Sequence, residues 1–157
     1  LVDRTNGRAG TFHDVGSGDG LPGSDGPVHH QPFADPYDTR VRAALLAAGD
    51  ELEGPTVHDG GTMVVINGPR FSTRAESRWH STMGWDVVNM TGAPEAALAA
   101  EAGIPYAAVA LVTDRDAGEP DRADGAAPVT MDDVMATVRN NVVHVRRLIE
   151  LALPHLP

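Results

Sequence analysis

The chain has 157 residues, the length of about one domain, and its 41% hydrophobic and 22% charged residues are an ordinary globular mix. A formal net charge of −10 opposes non-specific binding to nucleic acid or anionic membrane, and the lack of cysteine excludes disulfides, thiolate chemistry and Cys-based zinc sites. No apolar run is long enough to span a bilayer and no signal-peptide pattern opens the chain, so a cytoplasmic location is expected.

Residues 1–36 are dense in Gly, Asp, Pro and His, with the turn-forming runs 16–20 and 22–26, and read as a flexible surface loop. A phosphate cradle is the sharper reading, but no Gly-x-Gly-x-x-Gly stands there between a strand and a helix. His29 and His30 are adjacent and point apart in an extended chain, with no third ligand placed by spacing, so no metal is expected.

Residues 37–157 read as an α/β portion. A helix is predicted over 38–51, capped by Asp38 or Thr39, with Val41, Leu45 and Leu46 at near-helical spacing and Gly49 at its end. The β-branched run 62–66 predicts a strand buried on both faces. Ser72 or Thr73 caps a second helix to about Met83, with Glu76 as capping-box partner of Thr73. A strand over 86–90 and a helix over 94–102 follow, with Pro94 in its first turn and Gly103 past its end. Residues 106–113 predict a third strand, and 117–128 a second Gly/Asp/Pro-rich loop. Thr130 caps a last helix to about Leu153, whose apolar stripe is Val134, Val138, Val142, Val145, Leu148, Ile149 and Ala152. Alternating helices and strands imply an α/β fold with helices packed on a central sheet. Three strands are few for such a sheet and the chain begins at Leu1, so a partial domain belonging to a longer polypeptide is expected.

Ligands of open α/β sheets collect beyond the carboxyl ends of the strands. The predicted ends are 67–71, 89–92 and 113–116, and all are polar, small or aromatic. Taken singly, each residue has a structural alternative. Asp114 or Asp116 caps a turn, Phe71 belongs to the core, Met90 fills a gap, or Thr91 is only an N-cap. Together they describe a site. If strand geometry continues, Asp114 and Asp116 point to one side. Two carboxylates sharing a site do not both ionise cheaply, so one keeps a proton to donate while the other accepts. That pair complements the N7 and 6-amino edge of an aminopurine, with Phe71 placed to stack on the base and Met90 to pack on a sugar.

Residues 61–77, containing Asn67-Gly68-Pro69-Arg70-Phe71-Ser72-Thr73-Arg74-Ala75-Glu76-Ser77, resemble the signature of the trimeric purine nucleoside phosphorylases, and most closely the methylthioadenosine phosphorylase branch. Val88-Asn89-Met90-Thr91 with Pro94-Glu95, then Thr113-Asp114-Arg115-Asp116, continue the resemblance in order, and Leu1-Val2-Asp3-Arg4-Thr5 is similar to a family segment before the mid-chain loop. The resemblance implies a nucleoside phosphorylase-like fold, a mixed central sheet flanked by helices, of which this chain is the C-terminal portion. It implies phosphorolysis of a 6-aminopurine nucleoside, S-methyl-5′-thioadenosine first, through an oxocarbenium-like transition state, to adenine and the sugar 1-phosphate in purine salvage. The co-substrate is inorganic phosphate, with no cofactor and no metal. Asp114 is then assigned to purine N7 and Asp116 to the 6-amino group, both catalytic. Phe71, Met90, Thr113 and Arg115 are assigned to substrate binding, Thr91 to phosphate, and Ser72 and Met131 to specificity. The 6-oxopurine branch carries Asn in place of Asp114. The family's first half, with its Gly/Ser phosphate loop and Arg-His pair, has no counterpart in these residues, and Asn67 stands where an acidic residue is usual. A homotrimer is implied, with residues 10–36 reaching a neighbouring subunit. The alternatives are a 6-oxopurine nucleoside phosphorylase and a catalytically silent purine-binding fragment.

Overall fold

The computed structural model describes residues 1–5, 11–12, 30–117 and 130–156. The Gly-rich runs 16–20 and 22–26, His13 and His29, and residues 118–128 of the second predicted loop lie outside these residues.

The sheet described is parallel and three-stranded. Strand β1 (Val2–Asp3) pairs with β2 (Met63–Val65), and β2 pairs with β3 (Val87–Asn89), in the order β1-β2-β3. The registers are Val2 with Val64, and Val64 with Val88. Val64 and Val65 are both fully buried, and successive residues of a strand face opposite sides, so β2 is covered on both faces as its unbroken apolar run requires.

The predicted third strand is corrected. Residues 106–113 carry no ladder, and the third member of the sheet is Val2–Asp3, inside the stretch read as loop. Apolar β-branched composition marks a segment fit for a sheet, but only a paired neighbour makes it a strand. The segment is tied to the described residues by the Tyr106 carbonyl, which accepts from Asp38 N–H at 2.7 Å, and Ile104, Val109 and Val112 remain exposed.

Helix ends follow the caps. Helix α1 (Thr39–Asp50) starts at Asp38, whose carboxylate accepts from the backbone N–H groups of Arg40 and Val41. The Arg40 guanidinium and those N–H groups hold the Asp38 carboxyl below its ordinary value. Gly49 lies in the last turn of α1, as expected, and it also serves packing. A Cβ there lies 3.0 Å from Val57 Cβ. Helix α2 (Arg74–Thr82) opens with the predicted capping box of Thr73 and Glu76. The Arg70 guanidinium grips Glu76 through two hydrogen bonds of 2.8 Å and, with the Thr73 cap, holds its carboxyl well below the usual range. Helix α3 (Gly92–Glu101) ends before Gly103, which adopts φ 66°. Helix α4 (Met131–Ala152) is capped by Thr130 and Asp133 and passes into a 3₁₀ turn at Leu153–His155.

α4 packs along α1. Ala48, Leu148 and Ala152 are buried there among Leu45, Leu52, Val57 and Leu151. Burying a side chain of Leu148's size is worth about 1.5–3 kcal/mol relative to exposure. Two members of the predicted stripe, Val142 and Ile149, instead face outward at 49% and 47% exposure. The 3.6-residue period allows a wide apolar face, and α1 covers only part of it. Among the described residues, no helix is long and apolar enough to cross a membrane.

Candidate functional site

The carboxyl ends of β2 and β3 lie side by side. A Cβ on Gly68 lies 3.1 Å from Met90 Sδ, so the glycine lets the Met90 side chain lie across the end of the neighbouring strand. Phe71 follows on the same loop and is 40% exposed, so its ring is open to a partner rather than spent in the core. Ser72 is buried, and its hydroxyl has no hydrogen-bond partner within the chain.

Thr91 is exposed at the N-terminus of α3, where its own side chain makes no capping bond. Asn89, to which the sequence assigned no role of its own, holds the helix start instead. Its side-chain oxygen accepts from Thr91 N–H at 2.8 Å and from Gly92 N–H at 2.6 Å. The signal was local, since an Asn accepting from N–H groups two and three residues on is an N-cap pattern. The Thr91 hydroxyl is therefore available for an external acceptor, while the amides of Thr91 and Gly92 are taken by Asn89.

The third cluster is placed by α2, not by a strand. Arg74, the first residue of α2, donates to the Ala117 carbonyl at 3.0 Å. His80, further along α2, brings Nδ1 within 3.9 Å of Asp116 Oδ2. The two aspartates stand in different surroundings. Asp114 is exposed and its Oδ1 accepts from the Thr113 hydroxyl at 2.7 Å. Asp116 is half-buried; its Oδ1 accepts from Ala117 N–H at 3.0 Å, while its Oδ2 is buried without a hydrogen-bond partner in the chain. The strand geometry expected to align the pair is absent here. Arg115 lies exposed between them. Met131 is the first residue of α4 and is 56% exposed.

His80 was missed because no sequence spacing marks it. It is buried, with its ring 5.9 Å from that of Trp79 and 5.7 Å from that of Trp85. The Arg4 guanidinium lies over the Trp79 ring at 4.4 Å, and Arg4 N–H donates to the Val65 carbonyl at 2.8 Å, which continues the β1–β2 ladder. Elsewhere, an open cavity of about 330 Å³ between residues 31–40 and 100–106 contains none of the predicted site residues.

A parallel sheet with flanking helices, polar strand ends and an aspartate close to the earlier helix α2 define an α/β protein with a candidate site at the carboxyl ends of its strands. The chain belongs to the phosphorylase superfamily, whose family model matches residues 2–154. It is 48% identical over 153 residues to an S-methyl-5′-thioadenosine phosphorylase of Mycobacterium tuberculosis, which covers 98% of this chain and 50% of the relative. It is 46% identical over 160 residues to a purine nucleoside phosphorylase of Streptomyces coelicolor, covering 100% of this chain and 54% of the relative. Among solved structures, the methylthioadenosine phosphorylase from Schistosoma mansoni in complex with adenine superposes with a TM-score of 0.82 at 40% identity, over 98% of this chain and 56% of that one. The chain thus spans about half the length of the curated relatives it matches.

Proposed function

We propose that the full-length protein is a pentosyltransferase that cleaves a 6-aminopurine nucleoside with inorganic phosphate, S-methyl-5′-thioadenosine first, to adenine and the sugar 1-phosphate. The observation that carries this reading is the unequal aspartate pair, one exposed and one half-buried with an oxygen lacking a partner in the chain. Asp116 supplies an acceptor for the exocyclic amine, and Asp114 a donor to N7 as charge develops on the departing base. Thr113 and Arg115 flank that pair. Phe71 stacks on the base, and Met90 packs on the ribose. The Thr91 hydroxyl, released from capping by Asn89, donates to phosphate. Ser72 and Met131 line the specificity pocket. No bond to the protein forms in this scheme. Phosphate oxygen bonds to the anomeric carbon as the carbon–N9 bond breaks, and the electron pair leaves with the purine, which is protonated at N7. Solved relatives bound to adenine, tubercidin and methylthioadenosine support an aminopurine substrate.

Residues 1–157 are proposed as the C-terminal portion of a single phosphorylase domain that works as a cytoplasmic homotrimer in purine salvage, with phosphate as co-substrate and no cofactor. The test is adenine release by the full-length protein. Release from methylthioadenosine that requires phosphate supports the reading, and release that persists unchanged without phosphate makes the protein a hydrolytic nucleosidase instead. A preference for 6-oxopurines is the second reading, favoured by the Streptomyces relative's description as a purine nucleoside phosphorylase. Comparing inosine with methylthioadenosine decides between them.

A further inference from the structure

Among the described residues, His80 lies beside Asp116 and has no role in the scheme above. Its ring packs against those of Trp79 and Trp85, which also pack against each other, and its Nδ1 is buried without a hydrogen-bond partner in the chain. Asp116 Oδ2 is in the same condition, 3.9 Å away. A buried polar atom left unpaired costs about 1–3 kcal/mol, and two such atoms facing each other remove both costs by closing roughly 1 Å. Asp116 can supply that movement by turning its carboxylate about the bond its other oxygen already makes to Ala117 N–H. Hydrogen bonds of this kind are often long in free enzymes and tighten when substrate arrives.

We infer that His80 is a positioning residue for the reaction, its Nδ1–H donating to Asp116 Oδ2 so that this carboxylate faces the amino group of the purine as an acceptor. The assignment rests on the reading of the site given above and deepens it. Discrimination between amino- and oxopurines depends on His80 as well as on the aspartates. Two donors, Ala117 N–H and His80, leave Asp116 no role but acceptance, and the donor role falls to Asp114. Arg74, bound to the Ala117 carbonyl, fixes the backbone on which that orientation is built.

The experiment uses the full-length protein and compares kcat/KM for adenosine and inosine in wild type, His80→Phe and His80→Asn. Phenylalanine keeps a ring packed against the tryptophans and removes the donor, whereas the Asn amide places an N–H close to the position of Nδ1. His80→Phe is expected to lower the adenosine-to-inosine ratio by about 10-fold or more, a misplacement effect, while His80→Asn keeps it within about 3-fold of wild type. In an Asp116→Asn background, His80→Phe is expected to change the ratio little, because the two residues act as one unit. An unchanged ratio in His80→Phe, equal losses for both substrates, or an undiminished effect in Asp116→Asn overturns the inference. If wild type releases neither base, the phosphorylase reading falls. The imidazole ¹⁵N resonances of His80 then decide the contact. A protonated Nδ1 that shifts in Asp116→Asn supports it, and identical spectra overturn it.

Discussion

The side-chain oxygen of Asn89 lies 2.6 Å from the backbone N–H of Gly92, joining the end of β3 to the start of α3. It also holds Thr91 N–H at 2.8 Å. One residue therefore ends a strand, caps a helix and frees the hydroxyl between them. Asn89→Ala is expected to cost about 1–2 kcal/mol of stability, as lost N-caps do. Urea denaturation measures the loss, and an unchanged midpoint refutes the role of Asn89 as cap.

Gly49→Ala tests the packing of α1. In an open helix this substitution stabilises by about 1 kcal/mol through propensity. Here the new methyl group meets Val57 Cβ at 3.0 Å and Cγ2 at 3.1 Å. The net expectation is destabilisation of about 1–3 kcal/mol by overpacking. Val57→Ala in the same chain is expected to relieve most of it, and thermal denaturation of the two variants checks both signs.

Tyr106 sets an alkaline limit. Burial first, and then the hydrogen bond that its hydroxyl donates to Glu95 Oε2 at 2.7 Å, push its pKa from 10.0 up to about 12. The protonated phenol is the form favoured by the fold. Its contribution is therefore complete below pH 10.0, the unfolded value, and is lost as pH rises to about 12. Tyr37, stacked at 6.2 Å, is also raised by burial, against the opposing pull of Arg42. Ultraviolet titration should show late tyrosinate formation in these residues, and Tyr106→Phe should remove the latest component.

Asp114→Asn tests base recognition. The 6-oxopurine branch carries Asn at this position, where an amide beside N7 also offers an N–H towards a neighbouring 6-oxo group, and the variant is expected to move the amino-to-oxo preference towards inosine by about 10–100-fold. An unchanged adenine preference in steady-state kinetics removes Asp114 from the proposed role.

The sequence showed most where structure is decided locally. Thr73 with Glu76, and Thr130 with Asp133, announce α2 and α4 because a capping box closes within one turn. β1 was hidden because its identity depends on Val64 and Val65, which lie some sixty residues away and are reached only through the ladder. Residues 106–113 were misread for the converse reason, having strand composition without a paired neighbour among the described residues. The fold class was legible from the alternation of elements. Of the candidate site, Phe71, Met90 and Thr91 could be placed at strand ends from sequence, but the tie between Asp116 and His80 depends on how α2 packs and has no signature along the chain.

Trp79 and Trp85 are the only tryptophans in the 157 residues, and their rings lie 5.5 Å apart with that of His80 packed against both. The chain thus carries a built-in optical gauge beside Asp116. If a purine draws on that carboxylate as proposed, the contact between Asp116 and the imidazole packed on both indoles changes, and their emission is expected to change with it. Occupancy is then readable in the unlabelled molecule, with neither a coupled assay nor an added dye.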